Sequence, residues 1–198
     1  MTKSKEEALN EIAAEIQELS ESPLYEFRQE NSYKPVIGEG SVNARIMFIG
    51  EAPGENEAKS GRPFVGASGR LLNELLEGIG AKREDIYITN VVKDRPPENR
   101  SPRVGEVKLY TPFLARQIEI IQPQVIAPLG RFSMEAIFKL FDMAEKGGKI
   151  SQLHGKKLSA KTSYGDISVV PLFHPAVALY TSERKPELVE DFQVLKEL

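Results

Sequence analysis

Polar side chains that can exchange protons or hydrogen bonds with a ligand follow three apolar runs of this chain. Glu51 comes after the run at 44–49, Asn90 lies near the end of the run at 86–92, and His174 comes after the run at 167–173. Carboxylates and imidazoles act as acids or bases, and an amide offers both donors and an acceptor to a planar ligand. Parallel strands end at the same edge of a sheet, where open α/β folds build their sites. We therefore expect these groups to share one cleft.

Two interpretations stay open for each of these groups when it is taken alone. Glu51, and Glu57 in the same Gly/Pro loop, are either solvated loop carboxylates or functional ones. Phe64, in the glycine-rich segment that follows, is either a core anchor or an aromatic face for a planar ligand. Asn90 is either a turn residue or a reader of a ligand edge. His174 is either a satisfied structural histidine or a functional one, and Pro175 keeps it out of a helix.

Strand-like and helix-like patterns alternate along the chain and would position these groups. Apolar runs predict four strands, at 44–49, 86–92, 125–129 and 167–173, while 150–165 is typical of a hairpin or loop. Helical spacing is found within 1–20, 71–79, 113–121, 132–141 and 186–198, with Ser68 a suitable amino-terminal cap for the second of these. This order predicts an α/β fold: a three-layer α/β/α sandwich with a central, mostly parallel four-stranded sheet, in one domain over 1–198.

Composition narrows the possible functions. The 198 residues include no cysteine and two histidines, which excludes disulfides and thiolate ligands and disfavours an ordinary zinc site. The amino terminus lacks the apolar core of a signal peptide, and no apolar run approaches membrane-spanning length. We therefore expect a cytoplasmic protein with no bound metal and no membrane partner. The net charge of −3 argues against a general nucleic-acid coat protein but leaves room for a local basic patch.

Five motifs give the chain a specific resemblance. They are Gly50-Glu51-Ala52-Pro53-Gly54, Gly61-Arg62-Pro63-Phe64-Val65-Gly66, Tyr87-Ile88-Thr89-Asn90, Arg95-Pro96-Pro97-Glu98-Asn99-Arg100 and His174-Pro175-Ala176. In this order and spacing the chain resembles the family 4 uracil-DNA glycosylases, from about residue 20 to the carboxyl terminus. The resemblance implies an enzyme that flips uracil out of DNA and hydrolyses its N-glycosidic bond, leaving an abasic site.

The resemblance also implies roles for the site residues. His174 would donate a hydrogen bond to uracil O2, Phe64 would stack on the base, and Asn90 would pair with O4 and N3–H. Glu51 and Glu57 are the candidates for positioning the attacking water, with Glu51 favoured because it matches the polar position of the first motif. Ala52 stands in the base pocket where family 1 enzymes carry an aspartate, so a carboxylate would act here mainly through electrostatics.

For DNA the resemblance implies a wedge and a basic loop. Residues 177–180 match the loop that enters the duplex, so Val177, Ala178 and Leu179 are expected to contact DNA, with Leu179 as the plug. In the loop 93–103, the basic side chains expected to bind phosphates are Lys93, Arg95 and Arg100. His154 is expected to be structural or to face DNA. The partner would be uracil-containing DNA, single- or double-stranded, bound by a monomer.

The chain departs from the family at its cofactor. Family 4 members bind a four-iron, four-sulfur cluster through four cysteines, and the matching positions here are Ser20, Ser22, Asp94 and Tyr110. None of these side chains can replace a thiolate ligand. We expect a protein without the cluster, in which hydrogen bonds or packing of Tyr110 order the loop at 93–103.

Two other classes compete with the glycosylase. A phosphate-ester or nucleotide hydrolase could use a glycine loop at a strand end, but the loop has no Gly-Lys-Ser/Thr sequence and no aspartate cluster for magnesium is evident. A second alternative is a non-catalytic module of the same fold that recognises uracil or abasic DNA. The presence of Glu51, Asn90 and His174 together argues against that alternative.

Overall fold

A six-stranded sheet lies at the centre of the computed structural model, which describes residues 3–197. Its strands, in chain order, are β1 (Glu39–Gly40), β2 (Ile46–Gly50), β3 (Tyr87–Asn90), β4 (Val125–Pro128), β5 (Leu158–Thr162) and β6 (Gly165–Val169). The spatial order is β1-β3-β2-β4-β6-β5, and the inner four strands are parallel to one another. The edge strands β1 and β5 are antiparallel to their neighbours. The carboxyl ends of the inner strands therefore meet at one edge.

The prediction of a mostly parallel α/β sheet is confirmed, but the predicted number of four strands is too low. The four predicted strands correspond to β2, β3, β4 and β6. β1 has two residues, too few to show any periodicity, and β5 forms a hairpin with β6 inside the segment predicted as a hairpin or loop. The last predicted strand also ends earlier than expected, at Val169. Pro171 has no N–H for a ladder, although the residues beside it still pair with β4.

Nine α-helices accompany the sheet within residues 3–197. They are α1 (Lys5–Gln17), α2 (Tyr25–Glu30), α3 (Glu55–Ser60), α4 (Ala67–Gly78), α5 (Val104–Ile121), α6 (Arg131–Leu140), α7 (Ile150–Leu153), α8 (Ala176–Tyr180) and α9 (Lys185–Lys196). The helices predicted within 1–20, 71–79, 113–121, 132–141 and 186–198 correspond to α1, α4, α5, α6 and α9; residues 1, 2 and 198 lie outside the described part. Ser68 does not cap α4, because the helix already begins at Ala67 and Gly66 occupies the cap position.

Two apolar layers cover the sheet, one on each face. Alternate residues of β2 point to opposite layers: Met47 and Ile49 belong to one cluster and Phe48 to the other. The first cluster is completed by α1, α5 and α6, and the second by α4 and α9. This confirms the three-layer arrangement. No helix in the described part of the chain is both long and apolar enough to cross a membrane.

A buried polar network ties the amino-terminal helices to the loop after β3. Arg28, on α2, donates to both carboxylate oxygens of Asp94 at 3.1 Å, and Tyr110, on α5, donates to Asp94 Oδ2 at 2.5 Å. Ser22 Oγ lies 2.9 Å from the Tyr110 hydroxyl oxygen. The Arg28 guanidinium also donates to the carbonyls of Ile16 and Gln17, at the end of α1. Four chain segments, α1, α2, the loop after β3 and α5, are therefore held by one buried ion pair and its hydrogen bonds.

Arg28→Met is expected to lower the free energy of unfolding by about 3–5 kcal/mol, because it leaves the Asp94 carboxylate buried without its cation. Urea unfolding measures the change. Arg116→Met is the matched control: it breaks an ion pair with Glu15 whose side chains are 44% and 48% exposed, and should cost less than about 1 kcal/mol. Equal losses in the two variants would show that Asp94 does not depend on Arg28.

Candidate active site

A cavity of about 380 Å³ opens at the carboxyl ends of the parallel strands. Its lining residues are Ala52, Gly54, Glu57, Phe64, Ser68, Asn90, Asn99, His174 and Ala176. Five of the residues singled out from the sequence are thus brought together: Ala52, Glu57, Phe64, Asn90 and His174. Glu51 is not among the lining residues. The cavity combines an amide, an imidazole, a carboxylate and an aromatic ring.

Asn90 is positioned by the pairing of β2 with β3. The strands place Gly50 opposite Asn90, and a Cβ atom on Gly50 would lie 2.2 Å from Asn90 Oδ1 and 3.0 Å from the Phe64 ring. Only glycine therefore leaves room for both side chains at this point. Asn90 is 2% exposed, and its amide faces the cavity without a protein hydrogen-bond partner among residues 3–197. The amide is free to bond a ligand.

Phe64 lies in a strained turn between α3 and α4. Its φ of 51° is in the left-handed region, which non-glycine residues rarely adopt. The turn is possible because Gly69 comes so close that a Cβ atom there would lie 1.7 Å from the Phe64 carbonyl oxygen. The Phe64 ring is 7% exposed and stacks against His174, with ring centroids 5.7 Å apart. Local strain is thus used to present an aromatic ring beside the imidazole.

The structure brings Glu57, rather than Glu51, into the cavity. Glu57 Oε1 accepts hydrogen bonds from the backbone N–H groups of Val65 and Gly66, both at 3.1 Å. These bonds hold the carboxylate and leave Oε2 for another partner. Glu51 contributes its backbone instead, since its carbonyl accepts from the N–H of Val92 at 3.1 Å and extends the strand pairing beyond β2.

His174 is held as a neutral donor. The N–H of Ala176 donates to His174 Nδ1 at 3.1 Å, so Nδ1 is unprotonated and the ring proton of the neutral form is on Nε2. Burial lowers the pKa of His174 to about 4, against the weaker opposing effect of the nearby Glu57 carboxylate. At neutral pH the imidazole can therefore donate from Nε2 without carrying a charge.

Lys93 is not on the surface, and the expectation that it contacts DNA phosphates is corrected. Its side chain is 0% exposed, and its Nζ donates to Thr89 Oγ1, the Asn90 carbonyl and Gln117 Oε1 at 2.6–2.7 Å. The chain turns inward immediately after β3, so this lysine points under the sheet edge rather than towards solvent.

Arg95 and Arg100 are also engaged within the protein. Arg95 donates to the Tyr33 hydroxyl at 2.5 Å and to Asn99 Oδ1 at 2.8 Å. Arg100 forms two hydrogen bonds with Glu106, at 2.6 and 2.9 Å. Asn99, which sequence reasoning did not single out, lines the cavity with a φ of 54°. Asn99 could have been identified from the sequence by its position after two prolines, in a loop that returns to the strand ends.

The segment expected to enter DNA forms the short helix α8. Val177 and Ala178 are partly buried, whereas Leu179 is 47% exposed and Tyr180 is 89% exposed. Both exposed apolar side chains lie at the end of α8, which begins at Ala176 in the lining of the cavity, so α8 presents an apolar tip beside the cavity. Tyr180 is thus a second exposed apolar side chain next to Leu179, the predicted plug residue.

His154 packs against the segment that leads from β6 to His174. Its Nδ1 lies 2.9 Å from Asp191 Oδ2, and its ring packs against Phe173 with centroids 4.2 Å apart. Lys156 and Lys157 follow it on the same loop with exposed side chains. Throughout residues 3–197, no group of three or more acidic or histidine side chains is arranged to hold a metal ion.

Comparisons with known proteins agree with this geometry. The model of the uracil DNA glycosylase superfamily matches residues 37–196. A type-4 uracil-DNA glycosylase of Sulfurisphaera tokodaii is 44% identical, over 97% of this chain and 85% of that protein. Enzymes of the same name from Archaeoglobus fulgidus and Saccharolobus solfataricus are 42% and 45% identical, over 97% and 96% of this chain and 94% and 85% of their own lengths.

The lowered pKa of His174 predicts a pH-dependent loss of stability. The pKa of His174 is about 4 in the folded protein, whereas an imidazole in the unfolded chain has a pKa of 6.5. As the pH falls, the unfolded chain therefore binds a proton at His174 before the folded protein does. The free energy of unfolding should therefore decrease between about pH 6.5 and 4. Relative to His174→Asn, the wild type should lose an additional ~2–3 kcal/mol on going from about pH 7 to about 4.5. Urea unfolding at each pH measures this, and parallel curves for the two proteins would contradict it.

Proposed function

Since this chain belongs to the uracil DNA glycosylase superfamily, we propose that it hydrolyses the N-glycosidic bond between uracil and deoxyribose in DNA. The observation that carries the proposal is the meeting of Asn90, Phe64, Glu57 and His174 around one cavity at the strand ends. The relatives named as uracil-DNA glycosylases cover nearly the whole chain, which supports the same activity here.

Recognition of the base is assigned to Asn90 and Phe64. The Asn90 amide would accept from uracil N3–H and donate to O4, while the Phe64 ring stacks on the base. Cytosine has an acceptor at N3 and a donor at C4, so it would leave both amide groups mismatched. The support is the placement of the amide, which is buried, fixed above Gly50 and free of protein partners among the described residues. Ala52 lines the same cavity and adds no charge there.

Departure of the base is assigned to His174. As the bond between C1′ of the sugar and N1 breaks, its electron pair goes to the base, which leaves as an anion with charge on O2. The Nε2–H of the neutral imidazole would donate to that oxygen, and such preorganised donors stabilise developing charge. The hydrogen bond from Ala176 to Nδ1 supports this role because it keeps the proton on Nε2.

Attack by water is assigned to Glu57. One oxygen of this carboxylate is fixed by two backbone N–H groups, so the other is available to orient a water towards C1′. The water oxygen would bond to C1′ and its released proton would pass to the carboxylate or to solvent. The negative charge would also favour the positive sugar that forms as the base leaves.

Contact with DNA is assigned to α8 and to the neighbouring lysine loop. Leu179, with Tyr180 beside it, would fill the space that the flipped nucleotide leaves. Val177 and Ala178 would pack along the same strand. Lys156 and Lys157 are exposed on the loop that packs against Phe173, and they would replace Lys93, Arg95 and Arg100 as phosphate contacts. The substrate would be uracil-containing DNA, single- or double-stranded.

The iron-sulfur cluster implied by the family resemblance does not fit this chain. Of the four matching positions, Ser22, Asp94 and Tyr110 hydrogen-bond to one another and to Arg28, and Ser20 is exposed. A cation therefore bonds to a residue that stands at a thiolate position, and no thiol exists in the sequence. We propose that the protein works without the cluster and that the Arg28–Asp94–Tyr110–Ser22 network orders the loop instead.

The proposal of a cluster-free protein predicts that protein purified from iron-rich medium contains far less than one iron per chain and has no broad visible absorption band. Excision should be unchanged after incubation with a strong iron chelator, because the network needs no metal. Iron analysis, absorption and a chelator-treated assay make the test. Close to four irons per chain, or loss of activity in chelator, would contradict the proposal.

The proposal also covers domain organisation, oligomeric state and location in the cell. Residues 1–198 act as one domain, supported by the two apolar layers that share a single sheet. The protein acts as a monomer, since one chain supplies every lining residue of the cavity. We also propose a cytoplasmic location, as expected from the sequence.

The function is tested with a labelled oligonucleotide that carries one uracil, followed by alkaline cleavage at abasic sites. After incubation with the wild type in the presence of chelator, alkali should cut this strand and leave a thymine control intact. His174→Ala should slow excision by about 10²–10³-fold, the scale for a lost anion-stabilising donor. Glu57→Gln should slow it more than Glu51→Gln, which serves as the matched control because only Glu57 lines the cavity.

Two outcomes would overturn parts of this proposal. Tight binding of uracil or abasic DNA without cleavage would identify a recognition module rather than an enzyme. A loss below tenfold in His174→Ala would make that histidine structural.

A further inference from the structure

Lys93 is a buried cation that the proposed reaction does not use. Its side chain is fully enclosed, yet the three oxygens around Nζ are uncharged: a hydroxyl, an amide carbonyl and a backbone carbonyl. Burying an ammonium without a carboxylate partner is costly, so each of its hydrogen bonds must be well made. One of the three joins it to Asn90, the residue assigned to read the base.

The hydrogen bonds around Nζ require all three ammonium protons. Thr89 Oγ1 donates its own proton to the Ile37 carbonyl at 2.7 Å, so it can only accept from Lys93. Gln117 Nε2 donates to the same carbonyl at 2.9 Å, which turns its Oε1 towards Nζ. With the Asn90 carbonyl, three acceptors face one nitrogen, and only the charged form has three N–H groups. Burial lowers the pKa of Lys93, and these acceptors oppose that loss of the proton.

The contact with Asn90 occurs where the sheet stops. β1 pairs only with Tyr87 and Ile88 of β3, so Asn90 lies beyond the last partner on that side. The ammonium of Lys93 donates to the Asn90 carbonyl at 2.7 Å in place of a strand N–H. On the other side, the N–H of Val91 donates to the Gly50 carbonyl at 2.9 Å. The peptide group that follows Asn90 is therefore fixed from both sides.

We propose that Lys93 is a positioning residue for base recognition: its ammonium, fixed by Thr89 and Gln117, locks the Asn90 backbone and thereby aims the Asn90 amide into the cavity. This inference rests on the proposed function, in which that amide reads uracil. The ammonium acts through Asn90 and does not itself touch the base. This role differs from the DNA phosphate contact that the sequence predicted for Lys93.

The test compares Lys93→Met, Asn90→Ala and the double variant in single-turnover excision at saturating protein. Lys93→Met should slow excision by about tenfold or more, because the Asn90 carbonyl loses its donor and the amide loses its fixed direction. In the Asn90→Ala background the same change should slow excision by less than about twofold, since the group that Lys93 aims is already absent. Affinity for an uncleavable uracil analogue in DNA is measured in parallel and should fall in Lys93→Met, because the amide that reads the base has lost its fixed direction.

Two further variants keep the test decisive. Lys82→Met is the matched control: this lysine side chain is 74% exposed and precedes β3 at the edge of the sheet opposite the cavity, so the change should leave the single-turnover rate at the wild-type value. Thr89→Val removes one of the two side-chain oxygens that fix the ammonium, and it should slow excision several-fold even if Lys93→Met fails to fold. Additive losses from Lys93→Met and Asn90→Ala, or an unchanged rate in both Lys93→Met and Thr89→Val, would overturn the inference.

Failure of the proposed function is distinguishable from failure of this inference. A wild type that does not excise uracil would refute the function, whereas an active wild type with additive variants would refute only the role of Lys93. The side-chain NH₂ resonances of Asn90, assigned with Asn90→Ala, give a readout that needs no activity. They should shift in Lys93→Met and not in Lys82→Met, and unshifted resonances in Lys93→Met would overturn the positioning role.

Discussion

The parallel pairing of β2 with β3, which sets Gly50 opposite Asn90, fixes the geometry on which the site depends. Its hydrogen bonds continue past the strands, because the N–H groups of Val91 and Val92 donate to the carbonyls of Gly50 and Glu51. The absence of a side chain at Gly50 then leaves the space that Asn90 and Phe64 occupy. A small shift of one strand against the other would close that space, so recognition of the base is tied to the register of the sheet.

The loop after β3 is held by buried charges rather than by apolar packing alone. Lys93 bonds to three neutral oxygens on one side, and Asp94 bonds to Arg28 and Tyr110 on the other. Arg28 Nε is buried without a hydrogen-bond partner among residues 3–197, so the other bonds of the network must be well made to offset that cost in a low dielectric. This makes the loop a single unit, because Asp94, which stands at a position that matches a cluster cysteine of the family, directly follows Lys93, which bonds to the Asn90 carbonyl.

Sequence patterns were sufficient to predict the elements with clear periodicity and the position of side chains that are fixed by their own strand. The inner strands, the long helices and the convergence of Asn90 and His174 follow from local patterns. The contacts of the basic loop could not be predicted from local patterns, because they depend on partners that are distant in sequence. Lys93 bonds to Gln117, 24 residues away, and Arg95 bonds to Tyr33, 62 residues away. Their charges suggested a surface, whereas the fold turns them inward. The two-residue strand β1 has no periodicity to detect, and its short length is what leaves the Asn90 carbonyl to Lys93.

The distribution of charge in the cavity matches a reaction whose leaving group is an anion. A protonated His174 would pair with Glu57, and this would weaken both the donor to the base and the carboxylate that faces the sugar. Burial and the hydrogen bond from Ala176 keep His174 neutral, while two backbone N–H groups fix Oε1 of the Glu57 carboxylate. In the proposed reaction, the neutral imidazole would serve the departing base and the fixed carboxylate would serve the positive sugar. Rate then depends on fixed geometry more than on a strong base, consistent with the apolar Ala52 beside the pocket.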